Sequence, residues 1–207
     1  MEKIVTTNSN EATALLFGAF DANIRLVENA FSVKISNRNT KSQDGDALVV
    51  SGEEENVCES VPALLTQKLA LVKAKSVFGK VGGVVIGADT VVCVDGRILG
   101  KPKTADEARS FFRLLCSRSH EVITGLAVIS EEKVVTDSVT SFVTFNDYDE
   151  RVIERYIASG SPFDKAGGYG VQDELFAPMV KGVEGDQDNV IGLPTVRLAQ
   201  ILEENFR

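Results

Sequence analysis

The chain has 207 residues, 43% of them apolar and 25% charged. That composition supports one large or two small globular domains and excludes a largely disordered chain. The 17 glycines follow no period, which excludes collagen, and the formal charge of −8 is the wrong sign for a protein that lives on duplex phosphate backbone.

No run approaches the roughly 18 apolar residues of a spanning helix, and no basic-then-apolar leader opens the chain. The expectation is a cytoplasmic protein with no membrane partner. Cys58, Cys93 and Cys116 stand too far apart for a CxxC pair and read as scattered thiols. The lone histidine, His120, excludes a three-histidine zinc site, so a metal here must take carboxylate oxygens, as Mg²⁺ or Mn²⁺ does.

In chain order, Ile4-Val5 reads as a short strand. Ile24, Val27 and Phe31 recur at helical spacing behind Asp21, a capping residue. Phe31, Val33 and Ile35 then alternate as in a half-buried strand, the polar run Asn37 to Asp46 reads as a loop, and Leu48 to Val50 as another strand. Residues 1–60 hold 10 acidic and 5 basic side chains, and the texture changes near residue 60. The acidic run Glu53, Glu54 and Glu55 suits the first turn of a helix. From Val61 a helix is expected to about Phe78, with Leu65, Leu69 and Val72 on its apolar face and Gly79 and Gly82 ending it.

The continuous apolar run from Gly83 to Gly87 reads as a buried strand. Asp95-Gly96 between Val91–Val94 and Arg97–Leu99 signals a tight hairpin. Thr104 with Glu107 opens a helix to about Cys116. His120–Ile129 and Val134–Phe145 read as paired strands, Asp149–Ala158 as a helix closed by Gly160, and Pro194 as the start of a last helix to about Asn205. Interleaved strands and helices make the fold class α/β, or α+β with a mixed sheet.

Four segments could carry chemistry. Gly87-Ala88-Asp89-Thr90 delivers a carboxylate to a strand end, where it can position water or a divalent cation, or simply cap a turn. Gly100-Lys101-Pro102 offers a point positive charge on a fixed backbone, although no GxxxxGK[ST] loop is present. Asp164 to Gln172 places three glycines in four positions between Asp164-Lys165 and Gln172, a pattern that requires a sharp turn or a close approach. Gly185 to Pro194 leads a polar turn into a helix. Lys73 lies on the long helix, within reach of a pocket edge by snorkelling. His120 reads as a hydrogen-bonded structural residue rather than a general base.

Together these islands resemble the Maf family of nucleotide pyrophosphatases. The matching runs are Leu69 to Ala74, Gly87 to Val92, Ile98 to Pro102, His120 to Gly125, Asp164 to Gln172 and Asn189 to Pro194. The resemblance covers about residues 63–207 and implies a Maf/ITPase-like fold. It also implies hydrolysis of the α–β phosphoanhydride of nucleoside triphosphates, dTTP and UTP among them, to a monophosphate and pyrophosphate, with Mg²⁺ or a similar divalent cation. By motif position Asp89 would activate water or hold the metal. Lys73 and Lys101 would bind phosphates, and Gln172 would complete the catalytic cleft, with Asp164 and Lys165 lining it. A homodimer is expected on the same resemblance.

The N-terminus departs from the pattern. The family's first strand runs into a Ser-x-Ser-Pro-Arg-Arg-type loop whose arginines meet the triphosphate. Here Ser9 can be matched as a substrate-binding residue, but Glu11 and Ala12 stand in the arginine positions. Residues 12–60 instead resemble the KH-like N-terminal segment of PhoH-type ATPases, without a Walker loop behind it or a GxxG clamp inside it. The expectation is therefore a KH-like segment over 1–62 joined to a Maf-like body over 63–207, with activity weakened by the missing arginines. Either Ile4 to Thr7 supplies the family's first strand or the fold is rearranged. The competing expectation is a non-catalytic binding module or a recombined chimera, with weak RNA binding by the first 60 residues.

Overall fold

The computed structural model describes residues 2–6, 34–38, 47–51 and 54–206. The expected helix behind Asp21, the polar loop beyond Arg38 and Ser9 lie outside the described residues. Two sheets are present among the described residues. The first has the order β1-β3-β2, from β1 (Glu2–Thr6), β2 (Lys34–Arg38) and β3 (Ala47–Ser51), all antiparallel. Ile4 thus faces Val49 in β3 and does not lie beside the strand that carries Asp89, so the first of the two alternatives for Ile4 to Thr7 does not hold.

The second sheet is five-stranded and antiparallel, in the order β5-β4-β6-β7-β8. It contains β4 (Val85–Val94), β5 (Arg97–Leu99), β6 (Ser119–Ile129), β7 (Val134–Phe145) and β8 (Val180–Glu184). The β4–β5 turn takes positive φ at Asp95 (48°) and Gly96 (67°), the two-residue geometry that follows strand twist. β5 reaches only Val92 to Val94 of β4, while β6 pairs β4 from Val85 to Cys93.

The α-helices among the described residues are α1 (Glu54–Val81), α2 (Ala105–Leu115), α3 (Glu150–Ala158), α4 (Gln187–Ile191) and α5 (Thr195–Asn205). Thr104 and Asp149 cap α2 and α3: Thr104 Oγ1 accepts from Glu107 N at 3.1 Å, and Asp149 accepts from Arg151 N at 2.9 Å. α1 begins seven residues before the expected Val61, passes through Pro62 and Gly79, and ends at Val81 before Gly82 with φ 62°. Its buried face also differs from expectation. Leu69 and Val72 are exposed, whereas Ala63, Thr66, Ala70, Leu71 and Ala74 are buried.

The reason is distance. A Cβ built on Gly125 would lie 2.2 Å from Gln67 N, and one on Gly87 2.2 Å from Ala70 O. α1 therefore rests almost on the sheet backbone, and only small side chains fit between. Strand alternation sorts the remaining packing. Gly87, Gly125, Ala127 and Ile129 turn toward α1. Val92, Val122 and Val143 turn the other way, into a core built with Phe112, Phe145, Tyr156, Tyr169 and Phe176. Leu198 and Ile201 of α5 cover Leu126 and Val128 on that second face.

Candidate active site

Asp89 and Thr90 are neighbours on β4, so their side chains leave opposite faces of the sheet. Asp89 turns to the α1 side, where Lys73 Nζ meets its carboxylate at 2.6 Å and also donates to the Ala88 carbonyl at 3.1 Å. That carboxylate is largely covered, with 16% of the side chain exposed, while Lys73 reaches it from solvent. The close seating of α1 on Gly87 and Gly125 fixes how far Lys73 must reach.

On the other face the segment Asp164–Gln172 folds over β4. Gly167 and Gly168 have φ of 66° and 80°, a region that L side chains rarely adopt. They also lie where side chains would collide: a Cβ on Gly167 would meet Val92 at 2.8 Å, and one on Gly168 would meet Pro102 at 3.2 Å. The close approach expected from the glycines is thus to the protein's own Val92 and Pro102. Gly167 N donates to Gly100 O at 2.9 Å, which ties the Lys101 turn to the Lys165 segment.

Lys165 Nζ is held by three oxygens. It donates to Asp164 Oδ1 at 2.7 Å, to the Ser161 carbonyl at 3.0 Å and to Ser161 Oγ at 3.1 Å. Ser161 Oγ in turn donates to Asp173 at 2.6 Å. Burial works to lower the Lys165 pKa, but the hydrogen bond to Asp164 and the neighbouring charges outweigh it, and the net direction is upward. The Lys165 hydrogen bond holds Asp164 below the usual carboxylate range. Ser161 and Asp173 were not foreseen from sequence. Asp173 follows Gln172 directly, but nothing local in the sequence joins it to Lys165.

These groups converge. One cleft of about 320 Å³ is lined by Lys73, Asp89, Lys101, Asp164, Lys165 and Gln172, together with Thr90, Tyr169, Val190, Ile191 and Gly192. It straddles the edge of β4, with the Asp89–Lys73 pair on one side and the Asp164–Lys165 pair on the other. Six of the seven site residues expected from sequence share this cleft, and Ser9 lies outside the described residues.

Beneath the cleft, His120 is 2% exposed and shares a 2.6 Å hydrogen bond between its Nε2 and Tyr169 Oη. Phe145 and Tyr169 meet its ring edge-on. Burial lowers its pKa to about 4, so the imidazole is neutral at physiological pH and supports Tyr169. Asn189 is fully buried; its Nδ2 donates to the Val122 carbonyl and to Ser141 Oγ, both at 3.0 Å, pinning α4 to the sheet. Its position before Val190-Ile191-Gly192 gave no signal of that role.

Among the described residues no three His, Cys, Asp or Glu side chains gather closely enough to cage a metal ion. The cleft offers isolated carboxylates, each already beside a lysine. That donor set fits a hard cation that arrives on phosphate oxygens and takes one protein carboxylate, which is how Mg²⁺ is commonly held beside nucleotides.

A family model described as Maf-like protein matches residues 28–205. The chain belongs to the Maf family. The match reaches further toward the N-terminus than the sequence islands did. The chain is 42% identical over 161 residues to a protein of Thermococcus gammatolerans named dTTP/UTP pyrophosphatase, covering 78% of this chain and 86% of that one. It is 43% identical over 159 residues to a Bacillus cereus protein of the same name, covering 76% and 83%. A Dictyoglomus thermophilum protein, also so named, is 44% identical over 153 residues, covering 72% and 79%.

Proposed function

We propose that this Maf protein hydrolyses nucleoside triphosphates between the α and β phosphorus atoms, with uracil and thymine nucleotides as its substrates. The observation that carries the reading is the single cleft in which Asp89, Gln172 and three lysines meet, taken with relatives named for this reaction on these bases.

A triphosphate brings about four negative charges, and an acidic protein must supply cations locally to hold it. Lys73, Lys101 and Lys165 supply them. Asp89 orients a water toward the α-phosphorus and takes its proton as the new oxygen–phosphorus bond forms. The bond from the α-phosphorus to the bridging oxygen breaks, and pyrophosphate leaves with that oxygen. Lysine charge stabilises the oxygens on which negative charge grows. Gln172, exposed at the mouth, donates its amide to a phosphate oxygen. A Mg²⁺ ion carried in with the substrate would take Asp89 as its protein ligand and lower the charge the lysines face.

The missing arginine loop belongs to the same proposal. With Glu11 and Ala12 where arginines are expected, substrate grip falls on the three lysines, and the KM is raised relative to proteins that keep the loop. The homodimer rests on the family resemblance alone, the cytosolic setting on the composition and patterning of the sequence, and the division at residue 62 on the change of texture near residue 60 and the two resemblances that meet there.

The test is pyrophosphate release from UTP, dTTP, CTP, ATP and GTP with and without Mg²⁺. Release from UTP and dTTP is expected, and Asp89→Asn should lower it by about 10²-fold or more. No release from any nucleotide, or an unchanged rate in Asp89→Asn, overturns the proposal.

A further inference from the structure

We infer that Ser161 and Asp173 are positioning residues for the phosphate chain: they keep Lys165 aimed into the cleft while Asp164 gives way to the substrate. The inference rests on the proposed reaction for its ligand and goes beyond it in naming groups that never touch that ligand. An ammonium group has three hydrogens and no lone pair. Those of Lys165 go to Asp164 Oδ1, to the Ser161 carbonyl and to Ser161 Oγ. All three are spent inside the protein, so a phosphate oxygen receives one only by replacing a partner.

The partners differ in how easily they leave. The Asp164 side chain is 76% exposed. Its bond to Lys165 joins adjacent residues at the surface, where an ion pair contributes little, and it can swing into water. The two Ser161 oxygens cannot. The carbonyl belongs to the 3₁₀ turn Ser161–Asp164, which carries the chain directly into Lys165. The hydroxyl is fixed by polarity. Because the ammonium cannot accept, the single Ser161 hydrogen points to Asp173 Oδ2 at 2.6 Å, and a lone pair is left facing Lys165.

Asp173 is itself held. Its Oδ1 accepts from Leu175 N at 3.1 Å, and its own N donates to Gly170 O at 3.0 Å. The Lys165 stem lies on the Gly170 backbone, where a Cβ would come 3.2 Å from Cε. Lys165 lines the cleft, and Ser161 and Asp173 are not among its lining residues. The Asp173 charge thus favours the Lys165 ammonium from behind, away from the phosphates.

The experiment measures pyrophosphate release from UTP with Mg²⁺, and calorimetric binding of inorganic tripolyphosphate to the full-length protein without divalent ions. Ser161→Ala should raise KM and the tripolyphosphate Kd about tenfold, with a smaller fall in kcat. Asp173→Asn should shift both in the same direction by less. Asp164→Asn should shift both the other way, by about two- to fivefold, the scale of an exposed ion pair. That variant changes an exposed side chain, so it tests the inference even where Ser161→Ala does not fold.

Lys165→Met supplies the deciding background. There Ser161→Ala should add nothing to KM or Kd, because it acts only through Lys165. An equal cost in both backgrounds gives Ser161 a merely structural role and overturns the inference. So does wild-type KM and Kd in Ser161→Ala, or weaker binding in Asp164→Asn. If tripolyphosphate binding follows the expected pattern but no nucleotide releases pyrophosphate, the hydrolytic proposal falls and the tether stands. If pyrophosphate is released and the pattern is absent, the tether alone falls.

Discussion

Gly125 is the sharpest place to test how the fold sets the site. Its substitution by alanine adds one carbon 2.2 Å from Gln67 N and from the Thr66 carbonyl carbon, and 2.5 Å from the Thr66 oxygen. All three are backbone atoms of a helix, so no side chain can rotate away. To restore ordinary contact, α1 must lift from β6 by about 1 Å. Overpacking of this kind costs about 1–3 kcal/mol, which in a protein of this size lowers Tm by roughly 3–10 °C.

The same lift moves Lys73 off Asp89, because the 2.6 Å contact and the bond to the Ala88 carbonyl both depend on where α1 sits. A displacement of about 1 Å at catalytic groups can cost 10²-fold in rate. The assay is pyrophosphate release together with thermal melting, with Gly79→Ala as the control. Gly79 lies in the same helix with no atom within 4 Å of a built Cβ, and alanine there should raise stability by about 0.5–1 kcal/mol. Wild-type Tm and wild-type activity in Gly125→Ala would refute the claim that close helix seating sets the Lys73–Asp89 pair.

Further expectations concern single groups. Lys101→Met should raise KM for UTP roughly tenfold with a smaller fall in kcat, the pattern of a lost charge-assisted phosphate contact; an unchanged KM removes Lys101 from the substrate. His120 has its pKa depressed to about 4 in the folded state, below the ordinary value near 6.5. Between those values the unfolded chain binds the proton and the folded chain does not. Stability is therefore lost as pH falls through this window, by about 2–3 kcal/mol by pH 4. Denaturant titrations of wild type and His120→Phe at pH 7 and pH 4 should show a smaller acid loss in the variant, and equal losses would deny His120 that part.

Two strand pairs of the C-terminal body, β4–β5 and β6–β7, were readable because local signals agreed, whereas β8 was not foreseen and Asp89, expected at a strand end, lies in the middle of β4. Asp95-Gly96 is a hairpin in sequence and in structure, and Thr104 with Glu107 caps a helix in both. α1 misled because hydrophobicity weighs Leu69 and Val72 above Ala70 and Ala74, whereas packing at this distance rewards small size. The cue lay in two elements at once: small residues at helical spacing, and the strand glycines Gly87 and Gly125 that face them. Six residues that line the cleft could be named from motif order, but their meeting across a strand edge depends on pairings far apart in the chain, such as Gly167 to Gly100. The hydrogen bonds of Thr124 to Thr90 and to the Asn189 carbonyl were invisible for the same reason, since they span 34 and 65 positions.

The two carboxylates of the cleft each rest against an ammonium group before any ligand arrives. On the proposed function a polyphosphate does not fall into a bare positive hole; it displaces an internal counter-ion that waits to return. The net attraction is the difference between two similar sets of contacts, which moderates affinity for the reactant and for the departing diphosphate alike. Once the leaving group goes, each lysine closes back on its own aspartate, so the catalyst is reset by its own side chains instead of being stalled by its product.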